Sequence, residues 1–209
     1  MSEVERLVDT PHGPARTTTT SPVGDAAGTL VLGHGAGGLR WTLDVLAVRD
    51  MVVGAGWRVV LVDQPWRVAE RRLGPRPPVL DEAWLPVLSD VVGRSGGGRL
   101  VTGGRSAGAR VACRTAEAVG ADAVLCLSFP LHPPGKPEAS RAPELAQPGA
   151  VGIPVHVVQG STDPFGTPAE VEAVLPPHVT LDVVPGPHSL GRVADRVAAA
   201  VLRRLAPGE

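Results

Sequence analysis

Tyrosine is missing from this 209-residue sequence, lysine occurs once, at Lys136, and cysteine twice, at Cys113 and Cys126. Two cysteines are too few for a disulfide framework or a zinc site. Both lie in apolar surroundings, where they read as small buried hydrophobes. Charge of one sign is not in excess either: 20 Lys and Arg meet 21 Asp and Glu, a formal net charge of -1. A dedicated nucleic-acid binder would show a basic face or stripe, so no nucleic-acid partner is expected. No window approaches the run of about eighteen apolar residues that spans a membrane. The start, MSEVERLVDTPHG, lacks the basic stretch and long apolar run of a secretory signal. A cytoplasmic location without membrane association is the expectation. The sequence also carries no metal-ligand pattern and no cofactor fingerprint, so neither metal nor cofactor is expected.

What is present is an alternation. Short β-branched runs take turns with helix-like segments, the pattern of an α/β fold with a mostly parallel sheet. Residues 4–8 and 15–20 flank a His-Gly-Pro turn and read as an N-terminal hairpin. Further strands are expected at 29–32, 57–62, 99–103, 123–127, 154–159 and 180–184, eight in all with the hairpin. Helices are expected at 41–53, 79–92 with Pro86 a kink or break, 106–119, 142–146, 168–174 and 189–205. Residues 64–78 and 130–149, rich in proline, read as loops. The length suits one domain over 1–209, and the short segment after the sixth strand leaves no room for a large cap.

Gly104-Arg105-Ser106-Ala107-Gly108 matches G-x-S-x-G, with a strand (RLVTG) before it and a small-residue helix after it. This is the nucleophile elbow: a serine on a sharp strand-to-helix turn, with glycines where side chains would clash. By itself the pentapeptide is weak evidence in a chain with 26 glycines; its flanks make it specific.

A serine hydroxyl needs a base, and in a parallel sheet catalytic groups lie at the carboxyl ends of strands. That rule sorts the six histidines. His12 lies in the hairpin, His156 inside a strand, and His178 before a strand, at the wrong edge. His34 and His132 follow strands and remain possible. His188 follows the last strand, and the chain order Ser, acid, His of this fold calls for a late histidine. Asp163, in QGSTDPFG after the seventh strand, is the matching acid, there to fix the imidazole tautomer. The two oxyanion donors should be the backbone N–H groups of Ala107, next to the nucleophile, and of Ala36, in the GHGAGG loop after the third strand. That loop has neither the Lys-Ser/Thr ending of a P-loop nor the spacing of a dinucleotide fingerprint.

With these residues in place, the chain resembles the α/β-hydrolase family that holds the testis-expressed hydrolase-like proteins, a subunit of a chromatin-modifying complex, and many bacterial hydrolases of dienelactone-hydrolase-like type. The resemblance runs through GHGAGG at 33–38, AERRLGPRPPVLDEAW at 69–84 and GGRSAGAR at 103–110. It continues in FPLHPPGKPE at 129–138, QGSTDPFG at 159–166 and PGPHSL at 185–190. It implies an α/β-hydrolase fold, an eight-stranded, mostly parallel sheet flanked by helices without a large cap, and a triad of Ser106, Asp163 and His188. It implies no particular substrate. Ala107 departs from the pattern, where Met or another larger residue is expected; only its N–H is used, but the pocket floor would widen.

Four further residues are candidates for substrate contact. His132 and Lys136, beside the mouth of the site, would bind an anionic group with the help of Arg105, unless they are solvated loop charges. Trp66 would line the acyl pocket or pack under the proline-rich loop. The functional expectation is a serine hydrolase cleaving a small ester or related acyl or lactone bond of a small-molecule substrate. The alternatives are a hydrolase-fold scaffold that binds a partner, and the same triad used for acyl transfer or carbon–carbon cleavage, since fold alone does not separate these.

Overall fold

A computed structural model describes residues 2–206. Eight strands form one sheet: β1 (Ser2–Val8), β2 (Ala15–Ser21), β3 (Gly28–Gly33), β4 (Arg58–Asp63), β5 (Arg99–Arg105), β6 (Ala123–Leu127), β7 (Val155–Gly160) and β8 (Val179–Val184). Their order across the sheet is β1-β2-β4-β3-β5-β6-β7-β8. The hairpin β1–β2 is antiparallel and β2 joins β4 antiparallel, while β4, β3, β5, β6, β7 and β8 run parallel. Every residue of β3 and β6 is buried, as expected of parallel strands covered on both faces.

The helices are α1 (Leu43–Gly54), α2 (Pro65–Val68), α3 (Pro77–Ser95), α4 (Ala107–Thr115), α5 (Ala142–Ala146), α6 (Pro168–Glu172) and α7 (Ala194–Leu205). Strand alternation sends side chains to opposite layers. Leu30, Leu32, Val59 and Leu61 pack with Val48 and Val52 of α1 and Val197 and Val201 of α7. Val31, Val60 and Val62 pack on the other face with Trp84, Val87 and Leu88 of α3. Arg114 of α4 pairs with Asp81 of α3 and Glu144 of α5, and Arg110 of α4 with Glu144. The helix behind the elbow is thereby tied to both of its neighbours.

Several expectations change. The segment 64–78 is not all loop: Pro65–Val68 forms a helical turn, and α3 begins at Pro77, where a proline in the first turn has no N–H to lose. Pro86 does not break α3, which runs through it from Pro77 to Ser95. The buried stripe Leu80, Ala83, Trp84, Val87, Leu88 and Val91 outweighs the one hydrogen bond that proline removes. The helix after Ser106 ends at Thr115. The last helix starts only at Ala194, after a 3-10 turn at Gly191–Val193, so His188 lies in a loop and does not open the helix. Cys113 and Cys126 are buried free thiols with sulfurs 3.6 Å apart, and burial pushes the Cys126 thiol well up.

Chain order across the sheet reverses at β3: β4 lies on one side of it and β5 on the other. The crevice at the carboxyl ends of two such strands is where open parallel sheets place their ligand sites. Here those ends carry the glycine loop at 33–38 and the pentapeptide at 104–108.

Candidate active site

The turn from β5 to α4 forces Ser106 to φ 54° and ψ −109°, a backbone region costly for any residue with a Cβ. Its N–H is held by the Leu127 carbonyl at 2.9 Å. The glycines on either side are there for space. A Cβ on Gly104 would lie 2.5 Å from the Gly33 oxygen and 2.8 Å from the Gly108 carbonyl carbon. One on Gly108 would lie 2.6 Å from the Gly33 carbonyl. Strand β3 and helix α4 therefore meet backbone to backbone, which presents Ser106 above the sheet.

Ser106 Oγ lies 3.0 Å from His188 Nε2, and His188 Nδ1 lies 2.8 Å from Asp163 Oδ2. The carboxylate can only accept, so the imidazole proton sits on Nδ1 and Nε2 is left to accept from the serine hydroxyl. Asp163 is fully buried, but neither of its oxygens is left unpaired. Oδ1 accepts the Phe165 N–H at 2.9 Å. Oδ2 also receives Gln159 Nε2 at 3.0 Å. The Phe165 ring stacks on His188 with centroids 4.3 Å apart.

The loop after β3 reaches Ser106: a Cβ on Gly35 would lie 3.7 Å from the Ser106 Cβ. Among the described residues, neither the Ala36 N–H nor the Ala107 N–H donates to a backbone carbonyl. Ala107 opens α4, where the first N–H groups have no helical partner. Both are available to an anion. His34 holds this loop in place. Its Nδ1–H donates to the Gly35 carbonyl at 2.8 Å, and its Nε2 accepts the Gln64 N–H at 3.0 Å. Only the neutral ring can do both. Burial lowers the His34 pKa to about 4, against the partial opposition of the Gly35 hydrogen bond.

That shift has a consequence for stability. Between pH 6.5 and about 4 the unfolded chain binds a proton at His34 that the folded chain refuses. The stabilisation is therefore full above pH 6.5 and is lost as pH falls toward 4. It amounts to on the order of 3 kcal/mol. Urea unfolding at pH 7 and pH 4.5 should show that loss, and His34→Gln should lose markedly less over the same interval. Equal losses in the two proteins would exclude this role.

Next to the Ala36 and Ala107 N–H groups lies a small slot walled by Trp66, Gly74, Leu80, Trp84 and Val111. It is tight, with room for about one water molecule. Trp66 thus both lines the slot and packs against Gly74 of the proline-rich segment.

The other expected substrate contacts are placed differently. Arg105 does not point its fork into open space: Nη2 donates to the His188 carbonyl at 2.8 Å, and Nε faces Asp44 at 3.4 Å. His132 is buried, with Nδ1 donating to the Pro133 carbonyl at 3.0 Å and Nε2 3.4 Å from Glu170. Its own N–H is bonded to the Phe165 carbonyl at 3.0 Å, so it braces the loop that carries Asp163. Lys136 is exposed and makes no ion pair among the described residues. Gln159, Ser128 and Asp44 escaped the sequence reading. Gln159 is fully buried at the end of β7 and shares its amide protons among Asp163, the Gly166 carbonyl and the Phe129 carbonyl. A glutamine near the carboxyl end of a parallel strand, in VHVVQG, was the available signal.

Residues 26–199 match the family described as an alpha/beta hydrolase domain. The chain belongs to that family, and the protein is an α/β hydrolase. No curated protein matches the sequence. Among solved structures it is similar to an alpha-beta serine hydrolase homologue from Coxiella burnetii, with a TM-score of 0.82, 18% identity and 99% of each chain covered. It is similar to an a/b serine hydrolase without lid from Xanthomonas campestris, with a TM-score of 0.77, 18% identity, and 100% of this chain and 98% of that one covered. A third is Est1E from Butyrivibrio proteoclasticus, with a TM-score of 0.75, 15% identity, and 97% of this chain and 99% of that one covered.

Proposed function

We propose that the protein is a serine hydrolase that cleaves a small ester or related acyl or lactone bond through an acyl-enzyme on Ser106. The observation that carries this reading is the hydrogen-bonded chain Asp163–His188–Ser106, at 2.8 and 3.0 Å, on a strained elbow. Ser106 Oγ attacks the substrate carbonyl carbon while His188 Nε2 takes its proton. The oxyanion forms against the Ala36 and Ala107 N–H groups. Nε2–H then protonates the leaving oxygen, the carbon–oxygen bond breaks, and the acyl group stays on Ser106. Water, deprotonated by the same Nε2, releases the acid and restores the serine. Asp163 holds the tautomer and stabilises the imidazolium.

The narrow slot beside the oxyanion donors supports a short acyl group. The absence of a cap over the site among the described residues supports a small, freely accessible substrate. The neighbours described as serine hydrolases and the esterase from Pyrococcus furiosus, at 16% identity and a TM-score of 0.72, are in keeping with ester chemistry. The LHPPGKP segment supports placement in the subgroup of testis-expressed and dienelactone-hydrolase-like proteins.

A fluorophosphonate probe tests this directly. The wild-type protein should be labelled once, at Ser106, and Ser106→Ala not at all. A folded wild type that resists the probe, or labelling that survives in the variant, would overturn the assignment.

A further inference from the structure

Arg105 ends β5 and directly precedes the nucleophile, and its guanidinium is held by protein groups. Nη2 donates to the His188 carbonyl at 2.8 Å, and that carbonyl also accepts the Ser128 hydroxyl at 3.0 Å. Ser128 itself is buried and held at φ 51°. On its other edge Arg105 faces Asp44, in the first turn of α1, at 3.4 Å. Asp44 has 0% exposure and, among the described residues, Arg105 is its only ion-pair partner and neither of its oxygens makes a hydrogen bond.

A charged carboxylate in such a place is expensive unless paired. The fold tolerates it where a planar, multi-donor cation can be locked in one orientation. We propose that Asp44 and Arg105 are positioning residues: Asp44 orients the guanidinium, and the guanidinium fixes the peptide of His188, so that Nε2 stays in line with Ser106 Oγ. The inference rests on the triad reading above. His188 is carried on a loop between β8 and a 3-10 turn, so no regular element of its own sets its backbone. The ends of β5 and β6 and the first turn of α1 set it instead, through the two donors to one carbonyl. This gives the variable position before the nucleophile a task that requires arginine.

A positioning role and a merely structural ion pair separate in a double variant. Arg105→Met leaves Asp44 buried and unpaired, so both stability and activity should fall. Asp44→Leu combined with Arg105→Met removes that charge and leaves no unpaired polar group at the site, so Tm should return close to wild type. The clamp on the His188 carbonyl is still missing, and kcat should stay about 10²-fold low with KM unchanged, the scale of a misplacement of about 1 Å. Arg105→Lys keeps a positive charge beside Asp44 but not the fork that reaches both partners. It should fold normally and lose about tenfold in kcat, the worth of one hydrogen bond. If kcat recovers with Tm in the double variant, or Arg105→Lys is as active as wild type, the positioning role is refuted. Failure of the triad reading looks different: the wild type itself would not label at Ser106.

Discussion

Ser106→Ala is expected to lower kcat by on the order of 10⁶, leaving the fold and KM nearly unchanged. The covalent route needs one oxygen, and no other hydroxyl stands in its place: His188 Nε2 has Ser106 Oγ as its side-chain partner at 3.0 Å. His188→Ala should cost about as much, and the two changes together no more than either, because serine and base act as one unit. Asp163→Asn should cost less, about 10⁴-fold, through the wrong imidazole tautomer. Here the cost has a local component as well. Asp163 accepts from His188, Phe165 and Gln159, and an amide can satisfy only part of that set. Steady-state hydrolysis of a short-chain ester, compared across the four variants, is the measurement. Additive losses for Ser106→Ala and His188→Ala would argue that the two do not work together, and a substantially active Ser106→Ala would move the chemistry elsewhere.

Gly104→Ala should be strongly damaging although it adds a single methyl group. The added carbon meets backbone on two sides, the Gly33 oxygen at 2.5 Å and the Gly108 carbonyl carbon at 2.8 Å. Neither can swing away as a side-chain tip would. Either β3 and α4 part, or the elbow turns. Overpacking of this kind costs about 3 kcal/mol, which for a domain of this size lowers Tm by roughly 6–12 °C. Whatever movement relieves the clash also displaces Ser106, so activity should fall about 10²-fold or more in the protein that remains folded. Gly93→Ala supplies the contrast. Gly93 lies within α3, and nothing stands within 4 Å of its added Cβ, so alanine there should raise stability by about 0.5–1 kcal/mol. Thermal melts and ester hydrolysis of the two variants side by side decide the matter. A Gly104→Ala protein with unchanged Tm would show that the elbow has slack.

Much of this protein is written in local pattern. Short apolar runs between turn signals are enough to place β3, β4 and β6, because a strand covered on both faces has to be apolar. The strand-then-small-residue-helix setting of G-x-S-x-G likewise places the strained turn at Ser106, since the glycines are demanded by a close approach that begins within a few residues. Chain order points to Asp163 and His188, as the position of a residue after a given parallel strand determines which edge of the sheet it reaches. Pro86 marks where local pattern misleads: its propensity to break a helix is local, while the burial that overrides it comes from the sheet beneath α3.

The strained turn at Ser106, the sheet and the strand ends that carry Asp163 and His188 were thus determined by the sequence, because each depends on neighbours along the chain. Arg105, His132 and Gln159 were decided by the tertiary structure. Arg105 stands at the end of β5 whichever way its side chain turns. Only the packing of α1 against the loop after β8 brings a buried Asp44 to one side of its guanidinium and the His188 carbonyl to the other. A long side chain can face substrate or protein with equal ease, and what settles it is where a buried charge in need of a partner happens to lie.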